Sequence, residues 1–138
     1  MKLKYIQNFV EGSDETVILL HDDIGTSIDS NGNLNYGIDG SAFAHEIQFL
    51  QDKTSLIKVH INSSGGNVMD GFSIITAILN SKVPVNTYID GIAASIAGLI
   101  AVSGNKVHIV DYGILMMHNP SGGSDEVLDI IKKSLSTI

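Results

Sequence analysis

Short apolar runs alternate along this chain with longer segments whose apolar residues recur three or four positions apart, and few folds are open to such a chain. "TVILLH" at residues 16–21, "LIKVHI" at 56–61 and "VPVNTYID" at 83–90 are short, apolar and partly β-branched, which predicts strands. "AFAHEIQFLQD" carries Phe43, Ile47 and Leu50 in helical register, with Ser41 as its expected N-cap. "VMDGFSIITAILNS" reads as a second helix through Met69, Phe72, Ile75 and Leu79. "DGIAASIAGLIAVSGNK", residues 90–106, adds a third after a strand expected to end at Gly91. "KVHIV" and "GILMMH" follow as short strands, and "SDEVLDIIKKSL" as a last helix opened by Ser124, with Asp125 and Glu126 in its first turn. Strand then helix, repeated, implies an α/β domain with a largely parallel sheet, because parallel neighbours need a crossover long enough to hold a helix.

One segment breaks the pattern. "DDIGTSIDSNGNLNYGIDGS", residues 22–41, is rich in Asp, Ser, Asn and Gly, and its Asn31-Gly32 pair marks a loop or small hairpin on the surface. The whole chain, 1–138, is expected to form a single domain, large enough to bury roughly two thirds of the surface its unfolded form exposes.

Several function classes fall away on composition. The net charge is −7 and all eight basic residues are lysines, so the forked guanidinium donors that favour phosphate and base contacts are missing and no nucleic-acid partner is expected. With no cysteine there is no disulfide, no thiolate metal site and no cysteine nucleophile. The longest apolar stretch, 92–102, is eleven residues, against the ~20 that span a bilayer. The start "MKLKYIQNFVEGSDE" lacks a signal peptide's apolar core. The expectation is a soluble cytoplasmic protein with no membrane partner, no cofactor and no metal.

Three turns carry the chemistry. In a parallel sheet ligands gather at the carboxyl ends of strands. "INSSGGN" places Gly65 and Gly66 after a strand, where the backbone can approach a ligand and aim N–H groups at an anion; the alternative is a flexible turn, since the spacing is not that of a P-loop. "DGIAASIAG" places Ser95 near a helix N-terminus, where unpaired N–H groups stabilise a developing oxyanion; a cap, or a small residue for close packing beside Ala94, Ala97 and Gly98, is the competing reading. "LMMHNPSGG" puts His118 at the end of an apolar strand, where a neutral imidazole can take a hydroxyl proton. His21, His45, His60 and His108 have no such turn beside them and read as structural or surface residues.

In this order, with Gly66 and Ser95 29 positions apart and Ser95 and His118 23 apart, "INSSGG", "DGIAAS" and "MMHNPSGG" resemble the Clp-type serine peptidases, most closely the phage and prophage versions associated with head maturation. The resemblance runs from about Thr16 onward. It implies the fold that this family shares with the crotonases. It also implies serine-type endopeptidase chemistry: Ser95 as nucleophile, His118 as general base, and the backbone N–H groups of Gly66 and Ile96 as the oxyanion hole. The substrate, a peptide or unfolded protein, would lie along Gly65 and beside Ser121, Gly122 and Gly123 as an added strand. Implied partners are further copies in a ring, an ATP-dependent unfoldase, or phage head proteins.

Two departures accompany the match. The family's triad acid comes from beyond the helix that follows the histidine, so the chain is expected to be truncated relative to the family and to hydrolyse peptides slowly or not at all; Asp125 and Asp129 are the nearest downstream carboxylates. Ser64 stands where the family usually has proline, which is expected to loosen the turn. A crotonase-type acyl-CoA enzyme, and an inactive ring subunit or capsid-assembly scaffold, are the alternatives.

Overall fold

A computed structural model describes residues 2–117, and places twelve elements. Strands β1 (Ile6–Gln7), β2 (Thr16–Leu20), β5 (Ile57–Ser63), β6 (Val85–Ala94), β7 (Lys106–Ile109) and β8 (Ile114–Met116) form one sheet in the order β1-β2-β5-β6-β7, with β8 also on β6. Every pairing in it is parallel except β1 with β2. Helix α1 (Gly40–Phe49), continued by a 3-10 turn at Leu50–Asp52, connects β2 to β5; α2 (Val68–Leu79) connects β5 to β6; α3 (Ile96–Val102) connects β6 to β7. The alternating α/β architecture with a mostly parallel sheet is as expected. The polar insertion is a hairpin, β3 (Thr26–Ile28) with β4 (Leu34–Tyr36), turning through Asn31 and Gly32.

The strands alternate strictly: Ile18 and Leu20, Ile57, Val59 and Ile61, and Val85, Thr87 and Ile89 are buried on one face. Phe43, Ile47 and Leu50 of α1 and Ile74, Ile75 and Ile78 of α2 share that core. The apolar residues of α1 are thus the ones the spacing predicts. For α2 the helix is as predicted but its buried face is not: Met69 is 74% exposed, while Gly71, Ile74 and Ile78 turn inward. The segment is apolar around most of its circumference, so packing on α1 and α3, rather than periodicity, chooses the face.

Helix α1 begins two residues earlier than expected. Asp39, not Ser41, is the N-cap, its Oδ1 accepting from the Ala42 N–H at 3.1 Å. A carboxylate suits the positive end of the helix better than the hydroxyl two residues on. Glu46 on the same helix is buried, yet fully paired: it accepts from the N–H groups of Lys4, Tyr5 and Ile6 at 3.0–3.1 Å and so fastens β1 to α1. Among the described residues no helix is long and apolar enough to cross a membrane.

Candidate active site

Strand β6 does not stop at Gly91. It runs on to Ala94, changing partner on the way: Asn86–Ile89 pair with β7, and residues 92–94 pair with β8. The change takes place at an irregularity opposite β5, where Ile61 faces Ile89 but Ser63 faces Ala93. Asn62 fills the gap, its Oδ1 accepting the Ile92 N–H at 3.1 Å, and a Cβ on Gly91 would lie 2.7 Å from that same oxygen. Asn62 and Gly91 belong to two of the motifs singled out in the sequence, and this contact is what joins them.

The bend delivers Ser95 to the first turn of α3 in an unusual backbone state. Its φ is +57° and its ψ −129°, it is half-buried, and it serves as N-cap without a side-chain capping bond. For a residue with a Cβ this conformation costs about 1–3 kcal/mol, and such strain persists only where surrounding contacts impose it. The Ser95 N–H is held by the Met116 carbonyl of β8 at 2.9 Å, and its own carbonyl starts the helix by accepting from Gly98. Strand, sharp turn and helix N-terminus together are similar to the geometry of a nucleophile elbow. The packing alternative explains Ala97, Gly98, Leu99, Ile100 and Ala101, all buried, but not the strained backbone of Ser95.

The Gly65-Gly66 turn lies directly against it. Gly65 has φ +103° and Gly66 φ +150°, both outside the range of ordinary side chains. Space excludes side chains as well: a Cβ on Gly65 would stand 2.8 Å from the Ala94 carbonyl and 2.9 Å from Ser95 Cβ, and one on Gly66 would overlap the Ile24 carbonyl oxygen. The position a Gly65 Cβ would take is only 3.4 Å from Ser95 Oγ. Among the described residues neither the Gly66 N–H nor the Ile96 N–H has an acceptor. Ile96 itself is buried against α2, where Gly71 leaves room for it.

Ser64 does not loosen this turn. Its Oγ donates to Asp23 Oδ1 at 2.9 Å, and the Ile24 N–H donates to the Gly65 carbonyl at 2.9 Å, so the turn is tied to the segment that follows β2. A cavity of about 360 Å³ opens beside it, lined by Ile24, Thr26, Ser27, Ser64, Gly66 and Asn67. A larger groove of about 540 Å³ between α1 and α2, lined by His45, Met69 and Phe72, contains none of these turn residues.

The structure therefore brings together Gly65, Gly66, Ser95 and Ile96. His118, Ser121, Gly122 and Gly123, with the carboxylates Asp125 and Asp129 and the cap Ser124, lie outside the described residues. The parallel register sets Ala94 opposite Met116, so β8 ends at the level of the residue before Ser95.

A second polar group was missed by reading the sequence. Asp90, at the start of "DGIAAS", accepts from His21 Nε2 at 2.8 Å and from His60 Nδ1 at 2.9 Å, while the Tyr88 ring stacks between His60 and His108 at centroid distances of 4.7 and 4.6 Å. These residues occupy the sheet face away from α1 and α2, and their period of two along β5 and β6 is the signal that placed them together. His21 and His60 are thus joined through Asp90, and His60 and His108 through the Tyr88 ring. Among the described residues no group of histidine and carboxylate side chains is arranged to hold a metal ion.

Comparison with known proteins identifies the family. A family model described as Clp protease matches residues 26–138. An ATP-dependent Clp protease proteolytic subunit of Leuconostoc citreum (strain KM20) is 41% identical over 76 residues, covering 54% of this chain and 38% of the relative. The proteins of the same name in Pleurastrum terricola and in Streptococcus mutans serotype c are 36% identical over 77 residues and 38% identical over 76, each match covering 54% of this chain and 39% of the relative. The matched stretch spans less than two fifths of each of these relatives.

Proposed function

Because the chain belongs to the Clp protease family, we propose that it is a serine-type endopeptidase subunit in which Ser95 is the nucleophile and His118 its general base. In this reading His118 takes the Ser95 proton as Oγ attacks the carbonyl carbon of a peptide bond. The carbonyl oxygen acquires the negative charge and is held by the N–H groups of Gly66 and Ile96; His118 then protonates the leaving amine, and water clears the acyl-enzyme by the same path in reverse. Each such donor contributes about 3–4 kcal/mol to the transition state.

The observation that carries the reading is the strained backbone of Ser95, held at φ +57° with the Gly65 turn packed against its hydroxyl. An acyl-CoA enzyme using two backbone amides alone has no use for a strained serine, and an assembly scaffold has no reason to keep near it two N–H groups that have no acceptor among the described residues. The substrate is a peptide or unfolded protein, aligned as an added strand beside Ser121, Gly122 and Gly123. The name of the relatives, a proteolytic subunit of an ATP-dependent protease, supports assembly with other subunits and an ATP-dependent component; a ring of copies and an ATP-driven unfoldase are the partners the resemblance implies.

The test is labelling with a fluorophosphonate, whose phosphorus Ser95 Oγ attacks with loss of fluoride. One label per chain is expected, located at Ser95 by peptide mass analysis and lost in Ser95→Ala. Labelling elsewhere, or equal labelling of Ser95→Ala, refutes the nucleophile; an unlabelled Ser95 leaves the scaffold reading standing.

A further inference from the structure

The link between Ser64 and Asp23 touches no reacting atom, yet it borders the turn on which the oxyanion hole depends. Ser64 Oγ donates to Asp23 Oδ1 at 2.9 Å, across 41 positions of sequence. The next residues of the two segments are paired through their backbones: the Ile24 N–H donates to the Gly65 carbonyl at 2.9 Å and the Asn67 N–H to the Ile24 carbonyl at 2.8 Å. The peptide bond between Gly65 and Gly66 is trans, so its C=O and N–H point in opposite directions. Holding the Gly65 carbonyl on Ile24 therefore turns the Gly66 N–H away from Ile24. Two glycines at positive φ have little intrinsic preference that would keep the peptide plane there unaided.

We propose that Ser64 and Asp23 are positioning residues: their hydrogen bond keeps Ile24 in register with Gly65, and thereby aims the Gly66 N–H at the oxyanion. The inference rests on the reading of Gly66 as an oxyanion donor. It adds a pair on a surface loop that no oxyanion contact requires, and it assigns a role to the segment from which the β3–β4 hairpin springs.

A double-mutant cycle tests it through the rate of fluorophosphonate labelling. Ser64→Ala and Asp23→Ala are each expected to slow labelling roughly three- to tenfold, the range of one net hydrogen bond. The double variant should be no slower than the slower single one. Ser64→Thr, which keeps the hydroxyl, should recover most of the rate. The Ser64 N–H makes no hydrogen bond among the described residues, so Ser64→Pro can fix the turn by its ring instead. In that background Asp23→Ala should change the rate less than about twofold, because the two groups no longer communicate. Thermal midpoints of the single variants should stay within roughly 3 °C of the parent, as befits an exposed pair. Single variants that label at the parent rate, or effects that multiply in the double variant, overturn the proposal.

Amide hydrogen exchange at Ile24 and Asn67 reads the same link without chemistry, and should accelerate roughly three- to tenfold in both alanine variants. If no protein labels at Ser95, the nucleophile reading fails and exchange alone decides the link: unchanged rates at both amides refute it.

Discussion

Replacing Gly71 by alanine should destabilise this protein, against the ordinary rule for helices. Gly71 is the fourth residue of α2, where alanine in place of glycine normally stabilises a helix by about 1 kcal/mol. Here a Cβ would overlap Ile96 Cγ1 outright and come within 3.2 Å of its Cδ1 and 3.3 Å of its Cβ. Ile96 is only 2% exposed and β-branched at the first position of α3, so it has no free direction in which to turn. Relief needs the helices to part by roughly 1 Å, and overpacking of this kind costs about 2–3 kcal/mol. Subtracting the propensity gain leaves a net loss of about 1–2 kcal/mol, or about 3–8 °C in thermal midpoint. If Ile96 donates to the oxyanion as proposed, the same movement carries its N–H away from that oxygen, and a displacement near 1 Å is worth up to about 10²-fold in rate. Differential scanning fluorimetry and fluorophosphonate labelling would read the two effects on one sample. Adding Ile96→Ala in the same chain should restore part of the lost stability, since the overlapping atoms are gone. A Gly71→Ala protein that melts higher than the parent and labels at the parent rate would refute the packing of α2 on Ile96.

Two further predictions concern strain and buried charge. Ser95→Gly should be more stable than Ser95→Ala by about 1 kcal/mol, because glycine relieves the positive φ while alanine keeps it, less the entropy glycine gains on unfolding; equal denaturation midpoints would show the backbone relaxed at no cost. Glu46→Ala leaves the N–H groups of Lys4, Tyr5 and Ile6 without their acceptor and should cost about 3 kcal/mol in urea titration, with Glu46→Gln losing less; a loss under about 1 kcal/mol would mean that β1 is held by other contacts.

Patterns confined to one element were legible in the sequence, and those shared between elements were not. In α1 a single apolar stripe of Phe43, Ile47 and Leu50 left one way to bury the helix, and all three are buried. In α2 apolar residues surround the helix, so Met69 looked like core and lies in solvent. Gly91 looked like the end of a strand because a glycine usually marks a break. It is instead the place where Asn62, 29 positions earlier, fills a gap in the ladder, and only the register of β5 on β6 reveals that. Asp90 is hidden in the sequence for the same reason: its partners are His21, just past the end of β2, and His60 on β5.

The sequence alone determined the alternation of strand and helix, the hairpin through Asn31 and Gly32, the need for backbone freedom at Gly65 and Gly66, and the close-packed α3. These follow from burial period and backbone conformation, which act over a few residues. Only the tertiary structure decided that Ser95 is held at a positive φ, that the glycine turn lies against its hydroxyl, and that Ser64 ties this turn to Asp23. The last two join segments about 30 and 40 residues apart. Their meeting depends on which strands pair and in what register, a property of the folded sheet that no stretch of the chain contains by itself.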